Sequence, residues 1–260
     1  MIVREIIEEL EKIYPSDAAE GWDNSGLQVG RGEKEVQTVF LALDLTEEIM
    51  EEAVKAGADL IITHHPLLMG GIKKITTDDF HGRKVIRLIR EDISHYAMHT
   101  NFDVITMGNL AGERLGLSER EVLVPTKSME NGKTAGYGSV GNLKKQTVRE
   151  VAETLKTKFQ LDSVRVFGET EAKVSRVAIL PGSGKDFVKE AIQSGAEVYI
   201  SGDFGHHHGM DAVEEGIIIL DAGHYGLEHI FVAYMKELLE EKFPELTIKT
   251  AKNKHPFEVL

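Results

Sequence analysis

"VKEAIQSGAEVYIS", residues 188–201, lies over "MEEAVKAGADLIIT", residues 50–63, at a constant offset of 138. Ala53/Ala191, Gly57/Gly195, Ala58/Ala196 and Ile62/Ile200 are identical across the pair, and Val54/Ile192, Asp59/Glu197, Leu60/Val198 and Thr63/Ser201 are conservative. Each segment reads as a helix ended by glycine, then an acid, then an apolar strand. That pattern also occurs in unrelated βαβ units, but a register without gaps from Val39/Val177 onward favours internal duplication. The expected fold is α/β: two similar βαβ-based lobes facing each other, with the carboxyl ends of their strands lining a shared cleft.

Working outward, "QTVFLALDL" (37–45) reads as a buried strand and Thr46 as the N-cap of the helix that follows it. "HGRKVIRLIRED" is helical, and "ISHYAMH" (93–99) is a strand ending in histidine. Residues 118–175 do not fit the duplication. The expected organisation is therefore lobe 1 over 1–117, a connecting region over 118–175 with short strands of its own, and lobe 2 over 176–260, the lobes forming one compact domain. The tail "NKHPFEVL" has no period and is expected along the surface.

The chain has 260 residues, 42% hydrophobic and 28% charged, enough for a sizeable core. A net charge of −13 argues against general affinity for a nucleic-acid backbone. With no cysteine, any transition metal must be held by His, Asp and Glu. "MIVREIIEELEKIYP" is an amphipathic acidic helix and not a signal peptide, and no apolar run approaches the ~18 residues of a membrane span. A cytoplasmic protein is expected.

Metal-competent side chains fall at four predicted strand ends: His64–His65; His99 and Asp103; Asp203, His206–His208 and Asp211; and Asp221, His224 and Glu228. Adjacent histidines diverge, so His64 and His65 suit two separate ions a few ångströms apart. His224 and Glu228, spaced i, i+4, share one helical face, as a surface pair or as ligands. Asp103 adds a carboxylate and Glu228 can bridge. Three histidines and two acids suit two divalent ions with open positions, the arrangement of hydrolytic two-metal sites. His95 reads as a core or sheet-face histidine; His81, His229 and His255 read as solvated. The triplet 206–208 cannot converge on one point and is assigned either cleft contacts or a surface role. "LPGSGKDF" (180–187) fails as a P-loop, because Ile179 and Asp186 stand where glycine and Ser/Thr are needed. It remains a tight left-handed turn or an anion contact.

"WDNSGLQVG", "ITHHPLL", "HTNFD", "SGDFGHH" and "DAGHYGLE" resemble, in order and over essentially the whole chain, the motifs of the type 2 GTP cyclohydrolase I family. The resemblance implies that His64, His65, Asp103, His224 and Glu228 ligate two divalent ions per subunit (Zn, Mn or Fe), with Glu228 shared. It places His99 and His207 around the cleft as candidate catalytic proton donors, with Asp211 a further acidic position. It also implies a two-lobed α/β protomer with a pseudo-twofold axis and a metal cleft between the lobes, assembled as a toroidal homohexamer. The implied substrate is small and nucleotide-like, with hydrolytic opening of the GTP imidazole ring at C8 and release of formate. A non-catalytic metal-binding scaffold or regulatory ring is the alternative, distinguished by ions closed off by protein ligands.

Overall fold

The computed structural model describes residues 1–128, 132 and 134–259. The chain begins with α1 (Val3–Glu11), β1 (Gly26–Val29), β2 (Thr38–Ala42), α2 (Glu47–Lys55) and β3 (Leu60–Thr63). It continues through α3 (Phe80–Arg90), β4 (Ser94–Ala97), α4 (Thr100–Phe102), a π-helical turn (Asp103–Met107), α5 (Gly108–Leu115), β5 (Ser118–Ser128) and β6 (Thr134–Thr147). Next come α6 (Val148–Phe159), β7 (Arg165–Phe167), β8 (Lys173–Ser183), α7 (Val188–Gln193), β9 (Val198–Gly202) and α8 (His206–Glu214). The last elements are β10 (Ile218–Asp221), α9 (His224–Glu228), α10 (Ile230–Lys242) and β11 (Thr247–Thr250). Among the described residues no helix is long and apolar enough to cross a membrane.

Two compact units account for the chain: Met1–Phe102 with Phe231–Asn253, and Asp103–Ile230 with Lys254–Leu260. The first holds a five-stranded sheet ordered β1-β4-β3-β2-β11, in which β1 alone runs antiparallel to its neighbour. The second holds a six-stranded sheet ordered β5-β6-β8-β9-β10-β7, with β8, β9 and β10 parallel and the outer strands antiparallel. This division falls at other points than the sequence reading's 117 and 175. Strand β11 returns from the far end of the chain to pair with β2. Strands β5, β6 and β7 extend the second sheet and do not form a connector apart from it.

The duplication is visible in hydrogen bonds. Val39 pairs with Leu60 across β2 and β3, and Val177 pairs with Val198 across β8 and β9, preserving the sequence offset. Gly57 and Gly195 both take positive φ (+68° and +76°), the conformation that lets each chain leave its helix at once for the strand. The pair Asp59/Glu197 does the same work twice. Asp59 Oδ2 accepts from the amides of Gln37 and Thr38 (2.8 and 3.0 Å), and Glu197 Oε2 from those of Ser175 and Arg176 (2.7 and 3.1 Å). These backbone bonds hold the Glu197 carboxyl below the usual carboxylate range, although partial burial opposes them.

Each parallel core is packed from one face by small residues of the repeat. Ala53 and Ala191 are fully buried, Ala53 among Phe40, Met50 and Ile61 and Ala191 among Ala178, Tyr199 and Ile219. A larger side chain at either position would overpack the sheet–helix contact. Strand β3 is buried at all four residues, consistent with a central parallel strand covered on both faces. It therefore delivers His64 to its carboxyl end from a rigid base.

Candidate metal centre

In the first unit, His64 follows β3 directly and is fully buried. Its Nδ1 lies 2.7 Å from the Met98 carbonyl. A carbonyl only accepts, so Nδ1 carries the proton and the lone pair resides on Nε2. His65 Nδ1 is held in the same way by Asp44 Oδ1 (2.8 Å) and His99 Nδ1 by Asp23 Oδ1 (2.7 Å). Metal-binding histidines are oriented by such bonds from the second ring nitrogen to a carboxylate or carbonyl. The three histidines offer ligand nitrogens within 4.8 Å of one another. Phe102 and Phe231 pack on the His64 ring at 6.1 and 5.2 Å between centroids, fixing it from the apolar side.

Support continues behind the cluster. Thr63 Oγ1 donates to the His65 carbonyl (2.6 Å) and accepts from His95 Nε2 (2.8 Å). Burial, and then the charge of Lys84, push His95 down to about 3, so the ring is neutral. This is the core histidine expected from its place in β4. Asp23 has no exposed side-chain surface and accepts from His99, from the Thr100 amide (3.1 Å) and hydroxyl (2.6 Å), and from Ser25 Oγ (2.7 Å). Burial raises its pKa, but the hydrogen bonds from His99, Thr100 and Ser25 outweigh it and hold the carboxyl well below its ordinary range.

In the second unit, β9 ends at Gly202 and β10 at Asp221, and Gly223 (φ +73°) turns the chain into α9. Asp203 adopts a left-handed conformation (φ +61°), tolerated by Asp better than by most residues, and its Oδ2 accepts from His224 Nδ1 at 2.9 Å. His224 Nε2 then bears the lone pair, yet it faces Glu228 Oε2 at 2.9 Å. Two acceptors at that separation repel unless a positive charge lies between them, supplied by a second proton on the imidazole or by a metal ion. Glu228 is only 3% exposed, so its negative charge is expensive without such a partner. The donor set therefore fits a divalent cation. Asp103 is half-buried and opens the π-helical turn, a local geometry common at functional sites.

Sequence reasoning singled out Asp203 but missed the acceptors Asp23, Asp44 and the Met98 carbonyl, whose partners lie 21 to 76 residues away. It also missed Gly182. That residue has φ +85°, and a Cβ there would stand 2.5 Å from Glu228 Oε1. The "PGSG" turn thus uses this glycine for close approach to the carboxylate. Gly182→Ala is expected to reduce divalent-metal affinity about tenfold, measured by calorimetric titration, with far-UV circular dichroism unchanged.

His206, His207 and His208 are exposed in the first turn of α8, and Asp211 is exposed on the same helix. His207 lies outside the donor groups found among the described residues. His229 is not solvated as expected: it is half-buried, stacks on Tyr225 at 12° and bonds the Gly226 carbonyl through Nδ1 (3.0 Å). Burial lowers its pKa. His255 also meets Tyr225, at 5.3 Å between ring centroids, whereas His81 is exposed.

A model of the family described as Duf34/NIF3 (NGG1p interacting factor 3) matches residues 1–256. A Clostridium perfringens protein named GTP cyclohydrolase 1 type 2 homolog is 38% identical over 265 residues, covering 100% of both chains. Among solved structures, a Bacillus cereus protein related to NIF3 superimposes with a TM-score of 0.91 at 27% identity, over 100% of this chain and 99% of that one. Reduced HcgD from Methanocaldococcus jannaschii gives 0.82 at 32% identity, over 96% of this chain and 97% of that one. On sequence and fold together, the chain belongs to the Duf34/NIF3 family.

Proposed function

We propose that the protein is a metal-dependent hydrolase of a nucleotide, with GTP as its substrate, and that His64, His65, Asp103, His224 and Glu228 hold two divalent ions. The observation that carries the proposal is the orientation of the histidines. Met98, Asp44 and Asp203 each fix an Nδ1 proton, so that His64, His65 and His224 all present Nε2 as the ligating atom. All three rings therefore hold the nitrogen that a metal requires free of its proton, with the other nitrogen anchored. The relatives' name supports GTP as the nucleotide.

Bound at these residues, Zn, Mn or Fe would supply Lewis acidity and lower the pKa of water. The chain's own groups do the rest. Asp23 holds His99 by Nδ1, so Nε2 is the atom that gives or takes a proton at the substrate. His207, exposed on α8, is a second candidate for that role. Glu228 supplies a buried negative charge with two oxygens, able to offset two cations at once. The proposal is of a cytoplasmic homohexamer, as the family resemblance implies.

The test is incubation of metal-replete protein with GTP, with formate and the ring-opened nucleotide measured over time. Formate release is expected from the wild type and a loss of about 100-fold or more in His65→Ala. Metal-loaded wild type that releases no formate beyond the His65→Ala background would overturn the hydrolase reading and leave a metal-binding ring.

A further inference from the structure

The only tryptophan of the chain, Trp22, is 63% exposed. It stands in a turn closed by the Asp23 amide donating to the Glu20 carbonyl (3.0 Å). Both ends of that turn are pinned to α4. The Glu20 amide donates to Thr100 Oγ1 (2.9 Å), and the buried Asp23 carboxylate accepts from Thr100 and from His99. The turn that carries the indole is therefore anchored while most of the Trp22 surface faces water, a costly position for the largest apolar side chain. Its ring lies 6.0 Å from that of His99, at 76°. His99 in turn belongs to the clustered imidazoles with His64 and His65.

We propose that Trp22 is the stacking platform for the purine base of the substrate. The inference rests on the hydrolase reading above, which requires the five-membered ring of the base to be presented to the histidines. A rigid aromatic surface beside His99 does this by π-stacking, and a bicyclic purine overlaps an indole more fully than a pyrimidine does. The polar side chains that follow Trp22 bond other protein groups. Asp23 is spent on His99, Thr100 and Ser25, Asn24 donates to the Leu68 carbonyl, and Gln28 bonds the Leu68 amide and the Asn24 carbonyl. The platform therefore selects by ring area and not by the hydrogen-bonding edge of the base, so guanine and adenine nucleotides bind it comparably.

Because Trp22 is the sole tryptophan, its fluorescence reports on this site alone. Titration of the full-length, metal-replete protein with GTP, ATP, CTP and tripolyphosphate is expected to show quenching by both purine nucleotides, weak quenching by CTP and none by tripolyphosphate. In calorimetry, Trp22→Ala is expected to weaken GTP binding by on the order of tenfold to a hundredfold, and Trp22→Phe by only a few-fold, with metal content unchanged in both. Equal quenching by tripolyphosphate, or wild-type GTP affinity in Trp22→Ala, would overturn the platform. So would a fall in oligomer mass in Trp22→Ala by light scattering, which would make the indole a subunit contact. Formate release without Trp22-dependent binding would sink the platform and leave the hydrolase reading standing. Purine-specific quenching without formate release would do the reverse.

Discussion

Glu228→Gln is expected to lower the affinity of both proposed metal positions together, by at least the 10- to 100-fold typical of weakened ligand shells. Glutamine preserves the shape of the side chain but removes the charge, and it is the charge that matters at a position this buried. In the metal-free protein the carboxylate faces the lone-pair nitrogen of His224, whose other nitrogen is committed to Asp203. An amide there can donate to Nε2 and satisfy it without any cation, so the substitution removes the drive for metal as well as a ligand. Elemental analysis and calorimetric titration with Zn or Mn make the measurement, with His229→Gln as the comparison. His229 sits about 100° further round the helix and bonds the Gly226 carbonyl, so its replacement should leave metal stoichiometry intact. Loss of a single ion in Glu228→Gln, or equal damage in both variants, would show that the carboxylate is not shared.

Asp23→Asn is expected to be the most destabilising single change near the histidine cluster, costing roughly 3–5 kcal/mol in the metal-free protein. The aspartate gathers hydrogen bonds from His99, Thr100 and Ser25 with no side-chain exposure, and an amide turns one acceptor into a donor facing other donors. Its folded pKa is depressed below an unfolded value near ~3.9. The stability it contributes is therefore present above that unfolded value and is lost as pH falls toward the folded one. Urea midpoints measured from about pH 3 to 7 should show a steep acid limb in the wild type, with Asp23's share missing from the variant. Glu197, also depressed, keeps part of the limb in both proteins. Identical pH profiles would show that Asp23 is not ionised in the fold.

The outline of the fold was legible because its determinants are local and repeated. Helix period, the two helix-ending glycines and the acid before each strand all fall within about fifteen residues, and the offset between copies recurs unchanged in strand pairing. The candidate ligands stood out for a related reason: imidazoles at the end of a mostly apolar strand are conspicuous, and an i, i+4 spacing has one geometric meaning on a helix. Strand β11 was not legible as a partner of β2, because pairing across the whole chain leaves no local mark. Nor was the surrounding shell of the histidines. Asp44, Asp23 and the Met98 carbonyl reach their rings only after the sheet has folded, and in sequence they are ordinary turn acids and a peptide group. The sequence by itself determined which chemistry was available, since that is a matter of residue type and short-range period. Tertiary structure decided which nitrogen of each histidine carries the proton and why Gly182 must be glycine. Those depend on hydrogen bonds and close contacts between segments that only folding brings together.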